Sequence, residues 1–116
     1  DFLDLRGRAV EAMGLTSAAV MEIDTQLALI AYREHDYEAA RRHLQQVEQA
    51  SPQTLVVGGR GLYAFTLARV LRALNREPER VASLVDDAIV AYTMAGVPYA
   101  RNVAEARAWA AANPAR

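Results

Sequence analysis

Residues 21–54 have the pattern of two amphipathic helices joined by a short turn, and this unit constrains the fold more than any other segment. Apolar residues recur at helical spacing on both sides of the turn His35-Asp36-Tyr37. Asp36 can cap the helix after the turn, and Pro52 can open the next helix. The unit therefore predicts a helical hairpin of the kind that stacks into repeat proteins.

The rest of the chain continues this pattern, and we predict an all-α fold of about six helices in three antiparallel pairs. In chain order, helices are expected at 2–13, from about 17 to 34, from Asp36 to the Ser51-Pro52 break, from an uncertain start to Leu74, at 79–94 and at 99–112. With 116 residues, a single domain spanning 1–116 is expected.

The start of the fourth helix is ambiguous because glycine is frequent there. Gly58, Gly59 and Gly61 each cost about 1 kcal/mol relative to alanine inside a helix. The helix begins either near Pro52, with a weak first half, or near Arg60 after a loop. A glycine-rich phosphate loop is disfavoured, because no Gly-Lys-Ser/Thr follows; close helix packing or a loop is the better interpretation.

A second, weaker unit follows the first. Leu67 and Ala68 correspond to Leu27 and Ala28 in the first helix of each unit. In the second helix Val81 corresponds to Ala40, at an offset one position longer. The period between the units therefore exceeds the length of the segment 21–54. It favours the earlier start of the fourth helix, with the glycines included in it.

The first unit resembles the tetratricopeptide (TPR) repeat. His35-Asp36-Tyr37 is similar to the family's Gly-Asp-Tyr turn, and the unit departs from the family at His35, Asp24 and Ala31. The other matching positions are Leu27, Ala28, Ala40, Leu44, Val47 and Pro52. The resemblance implies helix hairpins stacked as a short right-handed superhelix that binds protein or peptide on its concave side.

The last part of the chain, at 88–96 and 104–109, resembles the C-terminal TPR tails of myxobacterial multidomain proteins such as serine/threonine protein kinases. The resemblance implies a regulatory or scaffolding part of a bacterial signalling protein. The chain begins at Asp1 rather than Met, so we expect a fragment of a longer protein. Kinase motifs are absent from the sequence, and we expect no enzymatic activity from this chain.

The TPR resemblance implies which residues face a ligand. From the two units these are Glu22, Thr25, Leu29, Tyr32, Arg33, Leu62, Phe65, Arg69, Arg72 and Ala73. The preferred candidates are Tyr32, Arg33, Phe65, Arg69 and Arg72, whose cations suit an acidic partner. Thr25 and Leu29 depart from the family's carboxylate clamp. The alternative is equally open: the arginines form an exposed helix face and the apolar residues are core.

Charge and composition narrow the classes of partner. The net charge of −1 creates no field that attracts nucleic acid or an anionic membrane. Cysteine is absent, and no apolar run is long enough to span a bilayer, so a cytoplasmic location is expected. All 13 basic residues are arginine, which fits codon preference better than selection for bidentate contacts.

No catalytic, cofactor or metal site is predicted. His35 and His43 are expected to be solvated, as are the carboxylate pairs Asp86-Asp87 and Glu77/Glu79. Trp109 and Tyr99 are expected to seal the end of the helical array.

Two alternative functions remain open. The chain could be a homodimerisation domain whose Phe2 end is covered by a second copy, or a small-ligand sensor with a cavity between helices.

Overall fold

The computed structural model describes residues 17–50, 52 and 55–114, with side chains from residue 19 onward. The predicted helix at 2–13 lies outside these residues. The described part of the chain is all-α, as predicted, with five α-helices and no strand. The helices are α1 (Ser17–Arg33), α2 (Tyr37–Gln49), α3 (Val57–Leu74), α4 (Pro78–Ala95) and α5 (Ala100–Ala112), and a 3-10 turn (Val97–Tyr99) precedes α5.

The chain divides into two compact units, one ending at Leu55 and the other beginning at Val56. In the first unit α1 packs against α2; in the second α4 packs against both α3 and α5. The expectation of a single domain stays a prediction.

The first unit is a hairpin whose helices meet through small residues. Ala28 of α1 and Ala40 of α2 are fully buried, and so are Leu44 and Val47. Alanine at these positions keeps the side chains small and lets two helix backbones approach each other. Ala40, Leu44 and Val47, which the sequence analysis matches to the TPR pattern, are therefore core residues of α2.

The turn of the first hairpin depends on a residue in the left-handed conformation. His35 has φ 62°, a region that glycine occupies most readily. The N–H of Asp36 donates to the carbonyl of Ala31 (2.8 Å), and the N–H of His35 to that of Tyr32 (3.0 Å). These two bonds make a Schellman motif, which satisfies carbonyls that the end of α1 leaves without helical partners.

The second hairpin ends its first helix in the same way. Asn75 has φ 56°, the N–H of Arg76 donates to the carbonyl of Leu71 (2.9 Å), and the N–H of Asn75 donates to that of Arg72 (3.1 Å). Every member of this motif is displaced from its equivalent in the first hairpin by the same offset that relates Leu67 to Leu27. The repeat that the sequence indicates is therefore a repeat of backbone conformation as well.

The turn of the second hairpin is one residue longer than that of the first, counted from the left-handed residue to the start of the next helix. In the first hairpin Asp36 caps α2, and its Oδ1 accepts from the N–H of Ala39 (3.2 Å). In the second, Arg76 is followed by Glu77, whose φ of 48° is also left-handed and whose side chain makes no capping hydrogen bond. Pro78 then opens α4 at its first position. Glu77 is the inserted residue, and it explains why the offset is one position longer in the second helix of the unit.

The glycine-rich segment is helical, but α3 begins at Val57, between the two starts that the sequence suggested. Gly58 and Gly61 are buried within it. A Cβ at Gly61 would lie 2.7 Å from the ring of Tyr92, and one at Gly58 would clash with the ring of Tyr99. Close packing, one of the two interpretations offered for these glycines, is therefore confirmed.

Candidate functional site

The two candidate residues of the first hairpin lie in the last turn of α1. Arg33 is exposed, and Tyr32 is half-buried. The Tyr32 ring packs against that of Tyr37, with centroids 5.6 Å apart and planes tilted by 51°. Tyr37 is in turn held by His35, whose Nδ1 lies 2.8 Å from the Tyr37 hydroxyl. The turn thus orients Tyr32 and leaves the guanidinium of Arg33 at the surface.

The three candidates of the second hairpin lie on one face of α3, at spacings of four and three residues. Phe65 is only 1% exposed, and the Trp109 ring packs against it nearly at right angles, with a centroid separation of 5.9 Å and an interplanar angle of 85°. The Arg69 guanidinium lies over the same phenyl ring, 4.1 Å from its centroid. The geometry is that of a cation–π contact. Phe65 therefore belongs to the core in this structure and adds no open contact area.

Arg69 also reaches α5. Its Nη1 lies 3.8 Å from Oε1 of Glu105, and the side chains are 15% and 60% exposed. An ion pair with one exposed partner contributes little to stability, but it places a carboxylate against this guanidinium. Helix α5 thus already supplies Arg69 with the kind of group that was expected from a binding partner.

Arg72 is the third candidate, and it is half-buried one turn after Arg69. It borders a cavity of about 20 Å³, whose other lining residues are Leu71, Asn75, Arg76, Pro78, Val81 and Asn113. That volume holds about one water molecule and is far below the several hundred Å³ of an organic ligand site. This cavity gives no support to small-ligand sensing.

The wider set of groove positions is divided between surface and core. Glu22 and Ala73 are exposed, whereas Thr25 and Leu29 are buried. The Thr25 hydroxyl donates to the carbonyl of Met21 (2.9 Å) within α1. Glu22 and Ala73 are therefore surface residues, as a binding face requires, whereas Thr25 and Leu29 are core residues.

Trp109 and Tyr99 pack onto the second hairpin. Trp109 covers Phe65, and Tyr99 stacks on Tyr92 with a centroid separation of 5.8 Å and an interplanar angle of 17°. The role expected of these two residues, to cover apolar surface at the end of the chain, fits these contacts.

Tyr92 is a buried phenol with little polar compensation. Burial raises its pKa to about 12, and the nearby Arg69 guanidinium opposes that rise. The hydroxyl makes no hydrogen bond within ordinary geometric limits, although the Asn102 side chain lies close enough to act on it. The phenol therefore stays protonated, and it contributes as packing surface rather than as an acid or a base.

A buried polar pair in the first hairpin was not predicted. His43 was expected to be solvated, but it is only 6% exposed, and its Nδ1 lies 3.8 Å from Oδ1 of Asp24, which is 1% exposed. The expectation for His43 was wrong because it was based on the residue type and not on the position of His43 in the helical period. His43 lies three residues after Ala40 and four before Val47, so the helical period alone places it on the core face.

The other charged candidates lie where the sequence predicted. His35, Glu77, Glu79, Asp86 and Asp87 are all exposed. Within the described ranges, no three His, Asp or Glu side chains come together as a metal ion would require. None of the helices in the same ranges combines the length and the apolar character needed to cross a bilayer.

Comparison of the chain with protein-family models, with curated proteins and with solved structures found no match. Its functional assignment therefore depends on its own residues and geometry.

Proposed function

We propose that this chain is a TPR-like module that binds a protein or peptide carrying carboxylate groups. The repeated turn supports the proposal most strongly: two helical hairpins end their first helices with the same Schellman motif, at His35 and again at Asn75. Repetition of one supersecondary unit is the property that defines solenoid proteins. In the proposed array, the hairpins stack as a short right-handed superhelix.

The chemistry of the proposed surface comes from arginine. Tyr32 and Arg72 occupy equivalent positions in the two hairpins, and Arg33 follows Tyr32 at the surface. Guanidinium groups bind carboxylates through paired hydrogen bonds, and tyrosine adds contact area at little entropic cost. Arg69 would join such a surface only by exchanging the Glu105 carboxylate for one from the partner.

The wider context is part of the same proposal. A regulatory or scaffolding role in a bacterial signalling protein, in the cytoplasm, follows from the resemblance to kinase-associated TPR tails. Recognition rather than catalysis is the proposed activity.

The test uses a panel of fluorescent synthetic peptides rich in Asp and Glu, each paired with the same peptide carrying Asn and Gln. We expect some acidic peptides to bind and their amide counterparts to bind at least about tenfold more weakly. Arg72→Glu should weaken binding of the acidic peptides by about 1 kcal/mol or more, because it replaces attraction by repulsion.

The matched control is Arg107→Glu, which changes the same charge on the exposed face of α5. Circular dichroism should show equal helicity for all variants. The acidic-partner proposal fails if no acidic peptide binds, or if Arg72→Glu and Arg33→Glu both leave the affinity unchanged. Arg69→Glu is less informative, since it also disturbs the contacts with Phe65 and Glu105.

A further inference from the structure

The exposed face of α4, called the outer face below, has two halves of different chemistry. The other side of the helix is buried within the unit, through Val81, Leu84, Val85, Ala88, Ala91 and Tyr92. The opposite side is exposed along the whole helix. At helical spacing this exposed side includes Glu79, Asp86, Asp87, Val90 and Met94, so acidic residues occupy its first half and apolar residues its second.

The apolar half is unusually open. Val90 is 59% exposed and Met94 68%, and Val97, in the 3-10 turn that follows α4, is 88% exposed. Among the described residues, three of the five large apolar side chains that are exposed lie in this short stretch. Val90 and Met94 are four residues apart, which makes them neighbours on the helix surface. Clustered exposed apolar side chains are typical of interaction sites, whereas single ones are common on any protein.

The acidic half specifies the charge of what can cover this face. Asp86 and Asp87 lie about one turn before Val90, and Glu79 lies about two turns before Asp86. Arg80 is the one cation in the α4 sequence, and it lies beside Glu77 with a nitrogen–oxygen distance of 3.5 Å. The face therefore has negative potential next to its apolar end, which opposes an acidic peptide or an anionic membrane surface.

We infer that the outer face of α4, from Glu79 to Met94, docks an amphipathic helix of a partner protein with basic residues in one half and large apolar residues in the other. The apolar half of that helix covers Val90 and Met94, while its Lys or Arg side chains lie opposite Asp86 and Asp87. A helix seated on another helix uses side chains three and four positions apart as its anchors.

The outer face of α4 shares no residue with the surface of Arg33 and Arg72 proposed above, and its charge has the opposite sign. It depends on α4 carboxylates and apolar side chains, whereas the acidic-partner proposal depends on Arg33 and Arg72. The two proposals can fail independently. If both hold, the chain joins an acidic partner to a basic one, which is the property of a scaffold.

The experiment uses a fluorescent helical peptide with two leucines four positions apart and two arginines about one turn away on the same face. A second peptide has the basic and apolar halves in reverse order, so that either helix direction can bind. Control peptides replace the arginines by glutamates, or the leucines by serines. Binding to the whole chain is measured by fluorescence anisotropy at low and at moderate salt.

Two double variants test the two halves of the face: Val90→Ser with Met94→Ser, and Asp86→Asn with Asp87→Asn. All four residues are exposed, so folding should be retained, and circular dichroism checks this. Val56→Ser is the matched apolar control, since Val56 is 64% exposed outside this face. Glu22→Gln, on the exposed side of α1, is the charge control.

We expect one of the two basic peptides to bind, and each double variant to weaken it by at least about tenfold, while both controls leave it unchanged. The double variant Asp86→Asn with Asp87→Asn should also make the peptide affinity less dependent on salt concentration. The inference is overturned if neither basic peptide binds, or if the glutamate peptide binds as tightly.

Two further results would assign the face to another occupant and overturn the inference. One is a concentration-dependent dimer in sedimentation that Val90→Ser with Met94→Ser dissociates, because a second copy would then cover the face. The other is binding to neutral lipid vesicles that the same double variant abolishes.

Discussion

The two hairpins share a backbone but differ in what fills them. Both turn through a left-handed residue and the same pair of hydrogen bonds, at His35 in one and Asn75 in the other. The buried pair Asp24 and His43 of the first hairpin has Ala64 and Leu84 as its equivalents in the second, and those are buried as well. The two hairpins thus share the turn and a fully buried alanine in the first helix, Ala28 or Ala68, while different residues fill their interiors.

A second difference concerns how each interior is filled. Met21 is buried in the first hairpin, and its equivalent in the second is Gly61, against which the Tyr92 ring lies. One hairpin supplies volume from its first helix and the other from its second. The total filling of a core matters more than which helix provides it, because interiors are close-packed.

The largest expected loss of stability concerns the buried polar pair, which is present in the first hairpin and replaced by Ala64 and Leu84 in the second. His43→Leu should destabilise the protein by up to about 3 kcal/mol, because it removes a polar neighbour of the buried Asp24 side chain. Asp24 also makes a further interaction, which limits the loss. The double variant Asp24→Ala with His43→Leu copies the pair found in the second hairpin and should recover most of the loss.

Urea denaturation of the two single variants and the double variant measures this coupling. Additive losses would show that Asp24 and His43 do not act as a pair.

The next prediction tests whether the Tyr92 ring fills the space beside Gly61 that a larger side chain of α3 would otherwise occupy. Gly61→Ala should destabilise by about 2 kcal/mol, since the added methyl group must displace the Tyr92 ring. In an ordinary helical position the same change would stabilise by about 1 kcal/mol. The change should therefore become far less harmful in a Tyr92→Leu background, where the ring is absent. Thermal denaturation of all four combinations gives the coupling, and an equal cost in both backgrounds would contradict the explanation.

The inserted residue Glu77 allows the two turns to be compared directly. Glu77→Gly should stabilise by about 0.5–1 kcal/mol, because glycine adopts a positive φ without steric cost and the exposed pair with Arg80 contributes little. His35→Gly in the other turn should be close to neutral, since it also removes the contact with the Tyr37 hydroxyl. Chemical denaturation compares the two variants. A loss of stability for Glu77→Gly would show that its backbone is not strained.

The last effect, a dependence on pH, is close to zero at neutral pH and appears only in alkaline solution. The pKa of Tyr92 is about 12 when folded and 10.0 as its ordinary value, so the folded protein keeps a proton that the unfolded chain loses between these values. Stability should therefore fall as pH rises from about 10 to about 12. Tyr92→Phe should change stability little at neutral pH and remove this part of the decline. Parallel pH–stability profiles of the two proteins measure the difference, and identical profiles would assign the decline to other groups.

Much of the helical architecture could be predicted from the sequence because helix signals are local. Asp36, Asn75, Pro78 and Gly96 lie at or next to helix ends. The start of α3 was harder, since the glycines lower helix propensity and only contact with Tyr92 and Tyr99 rewards their small size. His43 was misjudged for the opposite reason: its position in the helical period was informative and its residue type was misleading.

The candidate binding residues show the limit most clearly. The TPR resemblance implies that Phe65 and Arg69 face a ligand, but their position in a repeat does not indicate that Trp109 and Glu105 of α5 reach them. Such contacts join residues that are far apart in the chain and lie on different helices. No local pattern encodes them, since they depend on where α5 packs.

The sequence by itself determined the helices, the hairpin pattern and its repeat, because period, caps and turn residues act within a few positions of the chain. Only the tertiary structure decided which polar groups are buried, which ring fills the space beside Gly61, and which arginines remain at the surface. Those outcomes depend on the packing of separate helices, where the free energy of burial and the exclusion of volume are decided by neighbours distant in sequence.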